Sequence, residues 1–230
     1  MTRIGVITGL KFEADILRAA AKKKSVAAPY LASVSGNQDH AYQEARAMVR
    51  RGAEGLMSFG IAGGLTDETP VGALVLAEHV LGDEGVRFKT DAAWRGRLSS
   101  LVHPHVPHCQ APLVSLVYGL LNEGEKRAAH RDTGAHAVDM ESLGTAKAAA
   151  EEGVPFIVVR VVSDAVTDLL PASVIPAMGP GGVIRVTTLV KEIAKNPAEI
   201  FHLAGFGWKT AKANAVLRRV SFLALPDFGL

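Results

Sequence analysis

The stretch "VPFIVVRVVSDAVTD" (residues 154–168) contains an apolar run typical of a buried strand, and this run ends in Ser163 and Asp164. The helical pattern "ESLGTAKAAAEEG" (141–153) comes directly before it, and "GLMSFGIAGGL" (55–65) is another strand-like run that ends in glycines. Strands of this kind alternate with helical segments along the chain. The alternation predicts an α/β fold: a three-layer α/β/α sandwich with helices on both faces of the sheet.

Length and composition narrow the possible functions. The chain has 230 residues, of which 48% are hydrophobic and 21% charged, as expected for one well-buried globular domain. A net charge of +2 gives no support to nucleic-acid binding. A single cysteine, Cys109, excludes an internal disulfide. Since no apolar stretch approaches the length of a bilayer span, we expect a cytoplasmic protein.

One segment has the residue types of a metal site. "HPHVPHCQAP" (103–112) brings three histidines and Cys109 together, but their spacing matches no zinc pattern. The interleaved prolines instead predict an extended surface connection. We therefore expect no metal.

Suggestive residues follow four of the predicted strands. They are Thr8, Gly9 and Glu13, then Ser58, Gly60, Gly63 and Gly64, then Met140 and Glu141, and finally Ser163 and Asp164. Ligands of layered α/β domains usually bind beyond the carboxyl ends of the strands. The set combines three acids with glycines that allow close approach, and it lacks an arginine clamp for phosphate.

Each of these features also has a purely structural explanation. Glu141 begins a helix, where a carboxylate is stabilised by the free amides. Asp164 could cap a turn after its strand, and Glu13 could be an exposed helix residue. The glycines of "SFGIAGG" (58–64) could simply form a tight turn, because their spacing is neither a dinucleotide fingerprint nor a Walker loop.

Four motifs taken in order carry a family resemblance. "IGVITGLKFEA", "SFGIAGGL", "AVDMES" and "VPFIVVRVVSDAV" resemble the nucleoside phosphorylase and nucleosidase superfamily over roughly residues 2–168. The pattern is similar to that of the methylthioadenosine/S-adenosylhomocysteine nucleosidases. The resemblance implies a central mixed sheet that is partly barrel-like, and an enzyme that cleaves N-glycosidic bonds.

The resemblance also implies roles for individual residues. Glu141 would bind the ribose 2′- and 3′-hydroxyls, and Met140 would line the sugar. Asp164, held by Ser163, would donate a proton to N7 of a purine, and Glu13 would orient or activate a water. Further substrate contacts are implied for Thr8, Gly9, Ser58, Gly60, Ile61, Leu120 and Leu121.

These roles agree with the chemistry of glycosidic cleavage. The sugar becomes electron-poor and the base takes up electrons, so an acid at the base and a water-activating carboxylate at the sugar are needed. An Asp164→Asn variant should then lose most turnover while it keeps the fold.

The attacking group is either water or phosphate. Phosphorylases of the superfamily place arginines at the positions of Glu13 and Ser58. A carboxylate repels the phosphate dianion, so these residues favour water. Phosphate is left open as a co-substrate, because Arg3, Arg46, Arg160 or an arginine of a partner subunit could still reach the site. We expect no other cofactor.

Two departures separate the chain from the methylthioadenosine pattern. Ile61 replaces a small hydroxyl residue, and "YGLLNEGEK" (118–126) lacks the aromatic that stacks on adenine, leaving Leu120 and Leu121 as apolar substitutes. With these departures the chain looks most like the hopanoid-associated branch, which is described as releasing adenine from adenosylhopane. A methylthioadenosine/S-adenosylhomocysteine nucleosidase and a non-catalytic nucleoside-binding scaffold are the alternatives.

The carboxyl-terminal tail is basic and aromatic. Residues 201–230 carry four Lys or Arg residues and one Asp, a net charge of +3. Such a tail could contact the inner membrane peripherally and admit a lipid-linked nucleoside. Amphipathic tails more often pack on the core or on a dimer partner. We therefore expect a catalytic core over 1–170, a helical tail over 171–230 packed on the same domain, and a homo-oligomer.

Overall fold

The computed structural model describes residues 3–82, 85–168, 199–226 and 228–230, without the side chains of 199–206. Its strands are β1 (Ile4–Thr8), β2 (Tyr30–Ser33), β3 (Gly55–Gly64), β4 (Leu74–Leu81), β5 (Arg87–Lys89), β6 (His108–Ser115), β7 (Ala137–Asp139) and β8 (Phe156–Asp164). Its helices are α1 (Lys11–Lys24), α2 (Gln38–Arg50), α3 (Ala92–Val102), α4 (Glu123–Thr133), α5 (Ser142–Glu152) and α6 (Glu199–Ala224).

The strands form one mixed sheet that closes on itself. Their order is β2-β1-β3-β7-β6-β4-β5, and β8 pairs with both β3 and β4. The path from β3 through β7, β6, β4 and β8 therefore returns to β3 as a closed ring. Strand β3 is long enough to pair with β1 at its start, with β7 at its end and with β8 along its other edge. The predicted sandwich with a mixed, partly barrel-like sheet is confirmed.

Helices cover the sheet on two sides because the strands are apolar on both faces. All nine residues of β8 are buried, which is the pattern of a strand packed from both sides. One core cluster joins the strands to α1, α3 and α6, and a second joins them to α2 and α5. The layers bring the carboxyl ends of β1, β3 and β8 to one end of the sheet, because these strands run parallel.

The described part of the tail belongs to the main core. Ala213, Leu217 and Val220 of α6 are completely buried, in the same cluster as strand residues. Helix α6 packs against β8, α1 and α3. Residues 171–198 of the predicted tail lie outside the described residues. None of the helices that the structure describes is both long and apolar enough to cross a bilayer.

The structure differs from the sequence pattern in two places. The apolar run "LVSLVYGLL" (113–121) predicts a strand, but β6 begins at His108, inside the proline-rich segment, and ends at Ser115. The segment after it is a loop in which Val117 and Tyr118 are exposed, because it leaves the sheet at the rim. Helix α3 was not predicted; its amino terminus is capped by Asp91, whose side chain accepts a hydrogen bond from the Trp94 amide.

Candidate active site

Glu13 lies at the centre of the site rather than on the surface. It is in the first turn of α1, and one carboxylate oxygen accepts a hydrogen bond from the Leu10 amide at 2.8 Å, which helps to cap the helix. The other oxygen accepts one from the Ile61 amide of β3, also at 2.8 Å. Glu13 is 1% exposed. Burial raises the pKa of Glu13 to about 7. The positive charge of Arg160 opposes this rise, and the negative charge of Glu141 adds to it.

The motif "DMES" (139–142) divides two tasks between its acids. Asp139 accepts hydrogen bonds from the amides of Glu141 and Ser142, so it satisfies the start of α5. Glu141 makes no capping bond with its side chain. Its carboxylate instead accepts a hydrogen bond from Arg160 at 2.9 Å. The structure thus assigns the capping role to Asp139 and leaves Glu141 for the site.

Arg160 joins the acids to each other. It interrupts the apolar run of β8 and is 1% exposed. One terminal nitrogen, Nη2, lies 2.8 Å from Asp139, 2.9 Å from Glu141 and 2.7 Å from the Ser58 hydroxyl. The other, Nη1, donates to the Ile61 carbonyl at 3.1 Å. This guanidinium is therefore engaged by carboxylates. Burial raises the pKa of Glu141, and the Arg160 charge opposes that shift.

Asp164 forms a buried ion pair of its own. Its Oδ1 accepts a hydrogen bond from the Ser163 hydroxyl at 2.9 Å. Its Oδ2 lies 2.5 Å from Nζ of Lys126, a residue of α4 that is completely buried. A bulge between Ala62 and Gly63 sets Asp164 beside Gly63 in the sheet.

The three predicted acids converge on one short segment of β3. Glu13 is bound at Ile61, and Asp164 pairs with Gly63. Glu141 reaches the same segment through Arg160, which binds the Ile61 carbonyl. Gly60 has φ of +154°, and a side chain there would collide with the Glu13 carboxylate. The glycines thus allow the acids, rather than only a turn, to pack against the backbone.

The other predicted residues take different positions. The hydroxyl of Thr8 is turned to β2, where it bonds Ser33 and the Ala32 carbonyl. Gly9 lies against the Glu141 carboxylate, and Met140 lies against Gly36.

The two leucines of the expected base-binding segment differ in their exposure. Leu120 is buried in a cluster with Leu65, whereas Leu121 is 37% exposed.

Sequence reasoning missed three residues of this arrangement as site members. Asp139 was noticed beside Met140, but its capping role was not assigned. Arg160 was named only as one of several arginines that could reach a phosphate. Its place inside an otherwise apolar run was the signal that it needs buried partners. Lys126 had none, since its partner Asp164 is 38 positions away.

Comparison with known proteins places the chain in a family. The model of the phosphorylase superfamily matches residues 34–201. The chain belongs to the phosphorylase superfamily. This membership confirms the predicted family and the prediction of an enzyme of the nucleosidase and phosphorylase class.

Solved structures of this superfamily share the fold. The 5′-methylthioadenosine/S-adenosylhomocysteine nucleosidase of Neisseria meningitidis, in complex with methylthio-immucillin-A, has a TM-score of 0.70 at 18% identity, covering 96% of this chain and 98% of that one. The Helicobacter pylori nucleosidase of the same name gives 0.68 at 13%, covering 96% and 97%. Futalosine hydrolase of Helicobacter pylori gives 0.67 at 12%, covering 95% and 97%. A comparison with curated protein sequences gives no match.

Proposed function

We propose that this phosphorylase-superfamily protein hydrolyses the N-glycosidic bond of an adenosine that carries a 5′ substituent, and that adenosylhopane is its substrate. The observation that carries the proposal is Glu13, a buried carboxylate held by two amides with a pKa raised by burial to about 7. A carboxylate with a pKa near the working pH is suited to take a proton from an attacking water.

The other acids support the same chemistry. Arg160 fixes the Glu141 carboxylate through one oxygen, which orients it for hydrogen bonds to two neighbouring sugar hydroxyls. A carboxylate there also favours the positive charge that develops on the sugar. Asp164, which pairs with Gly63 at the end of the same strand segment, would protonate the departing base.

Charge balance favours water over phosphate. Arg160 is the cation beside Glu13, and it is bound by Asp139 and Glu141. Asp139 and Glu141 already occupy this guanidinium, and Glu13 adds a negative charge beside it when it is ionised, so the centre offers no free cation to a phosphate dianion. The expectation of hydrolysis therefore becomes stronger, because the arginine that could have reached phosphate is neutralised by the site itself.

A direct assay tests the function. Purified protein is incubated with adenosylhopane, 5′-methylthioadenosine or S-adenosylhomocysteine, with and without phosphate, and adenine release is measured. We expect adenine from adenosylhopane without phosphate. Preference for 5′-methylthioadenosine would establish the soluble nucleosidase alternative. Release that requires phosphate would overturn hydrolysis, and no release from any of the three would favour a nucleoside-binding scaffold.

A lipid-linked substrate requires access from a membrane surface, and the outer side of α6 is suited to it. Trp208 is 68% and Phe222 is 43% exposed there, and Lys212, Arg218 and Arg219 are exposed on the same side. Exposed aromatic and basic side chains together favour binding to anionic headgroups.

The basic surface continues beyond the tail itself. Lys23 and Lys24 of α1 lie within 5.3 and 5.6 Å of the Phe222 ring centre. Lys209 is not available, because it pairs with Asp168.

Vesicle flotation tests this contact. We expect the protein to float with vesicles that contain phosphatidylglycerol and not with pure phosphatidylcholine. An Arg218→Glu, Arg219→Glu double variant should lose flotation but still cleave a soluble 5′-substituted adenosine. Equal flotation of variant and wild type would remove α6 from the membrane proposal.

The exposed loop after β6 supports the expected homo-oligomer. Val117 is 63%, Tyr118 57% and Leu121 37% exposed, and the loop starts beside the site because the Leu116 amide bonds the Asp139 carbonyl. Exposed apolar groups of this size are often covered by a partner. Light scattering after gel filtration should give a mass above 24.2 kDa; a monomer's mass would contradict the expectation.

A further inference from the structure

The side chain of Lys126 is completely buried, and its ammonium group meets three acceptors. Nζ lies 2.5 Å from Asp164 Oδ2, 2.8 Å from the Ala165 carbonyl and 3.1 Å from the Asp168 carbonyl. An ammonium has three protons to donate, so each proton has one acceptor. A lysine without exposure is rare unless it is paired, which makes this contact a specific feature of the site.

The same contacts also suit the pair after one proton has moved from Lys126 to Asp164. A neutral amine has two N–H donors and one lone pair. The two donors can stay on the Ala165 and Asp168 carbonyls, while the lone pair accepts a hydrogen bond from a protonated Asp164. Both positions of the proton therefore leave every polar group of the pair satisfied, which removes the usual penalty for a buried change of charge.

We infer that Lys126 is a positioning residue that stores the proton which Asp164 passes to the departing base. The inference rests on the proposed function. As the C1′–N9 bond breaks, its electron pair moves into the purine. Lys126 passes its proton to Asp164 Oδ2, and Asp164 gives that one proton to N7, which leaves a neutral amine beside a carboxylate. Water forms the new bond to C1′ and gives a proton to Glu13. Once adenine has left, Glu13 releases its proton to solvent, and the pair takes up one proton from solvent through Asp164.

The alternative role for Lys126 is to anchor the loop after β8. Lys209 provides a matched control for this alternative. Lys209 of α6 lies 2.5 Å from Asp168 Oδ1, so it anchors the same loop, and its contact is with Asp168 rather than with Asp164. Lys209→Met removes an anchor of this loop and leaves the Lys126–Asp164 pair in place, whereas Lys126→Met removes the pair.

The test compares two leaving groups. Adenine needs a proton as it departs, whereas 4-nitrophenolate leaves without one. Lys126→Met should lower kcat for adenosylhopane by roughly 100-fold or more with little change in KM, while cleavage of 4-nitrophenyl β-D-ribofuranoside falls by only a few-fold. Lys209→Met should affect both substrates equally and weakly. Melting temperatures of both variants check that the fold is kept.

The pH dependence gives a second measurement that a structural role would not move. Without Lys126 the proton on Asp164 has no second site, so the alkaline limb of kcat for adenosylhopane should shift to lower pH in Lys126→Met. Equal losses on both leaving groups, with an unmoved alkaline limb, would overturn the inference and leave Lys126 as an anchor. Failure of the proposed function is distinct, because the wild-type protein would then release no adenine.

Discussion

At the scale of single residues, the proposed role of Glu13 as general base predicts how activity depends on pH. A general base must be ionised, and burial raises the pKa of Glu13 to about 7. We expect kcat/KM to rise with pH up to about 7 and to level off above it. Glu13→Gln should lower kcat roughly 100- to 10,000-fold and remove this acid limb. A steady-state pH profile of both proteins checks this, and an unchanged limb in the variant would exclude Glu13 as the base.

The same residue makes stability depend on pH. In the folded protein Glu13 keeps its proton up to about pH 7, whereas the ordinary pKa of a glutamate is 4.5. Between these values the unfolded chain binds fewer protons than the folded one, so this group lowers the free energy of unfolding as pH rises. The stability of Glu13→Gln relative to the wild type should therefore increase by up to about 3 kcal/mol from pH 4.5 to 8. Urea unfolding at both pH values measures it; a constant difference would contradict the raised pKa.

Replacing Asp164 affects stability in a way that the sequence did not show. Sequence reasoning expected Asp164→Asn to lose turnover and keep the fold. Because Lys126 is completely buried, the variant also leaves an ammonium without its counter-ion, at a cost of about 3–5 kcal/mol. An Asp164→Asn, Lys126→Met double variant should recover most of that stability, since a buried ion pair can be replaced by apolar groups. It should still release no adenine. Chemical unfolding and adenine release are measured on the same variants. Adenine release by the double variant would exclude Asp164 as the acid that protonates the base.

At the scale of elements, strand β3 is constrained by the acids packed on it. Gly60 has a positive φ, and an added Cβ would lie inside the Glu13 carboxylate. Gly52 also has a positive φ, of +97°, but open space around it. Gly60→Ala should thus lose more stability than the roughly 1–2 kcal/mol of backbone strain expected for Gly52→Ala, and most of the activity as well. Equal thermal shifts in the two variants would show that the close approach to Glu13 is unimportant.

The elements also show how far the sequence could be interpreted. Hydrophobic periodicity predicted the alternation of strands and helices, because central strands such as β1 and β8 are buried along their whole length. It missed α3, although Trp94, Leu98 and Val102 have the spacing of one buried helix face. It also placed β6 five residues late, because prolines are usual in loops. The four motifs carry the three predicted acids, which the structure brings to one segment of β3. Contacts between distant elements, such as Lys126 with Asp164, depend on the closed sheet and leave no local pattern.

At the scale of the whole molecule, α6 has two sides with different tasks. Leu217 is completely buried in the main core cluster, and Trp208 is 68% exposed. Leu217→Ala should destabilise the protein by about 2–5 kcal/mol, whereas Trp208→Ala should change stability by less than about 0.5 kcal/mol. Thermal melts compare the two variants. A small effect of Leu217→Ala would show that the tail is dispensable for the core.

The closed ring of strands also bears on how the protein behaves in a crowded solution. Exposed strand edges are templates on which other chains can add and grow into aggregates. Within the part of the chain that the structure describes, the sheet ends in β2 and β5, which are only four and three residues long. The edges of β3 and β8, the strands on which the predicted acids converge, are paired with other strands. While the protein stays folded, a neighbouring copy thus cannot reach the segments with the greatest tendency to self-associate.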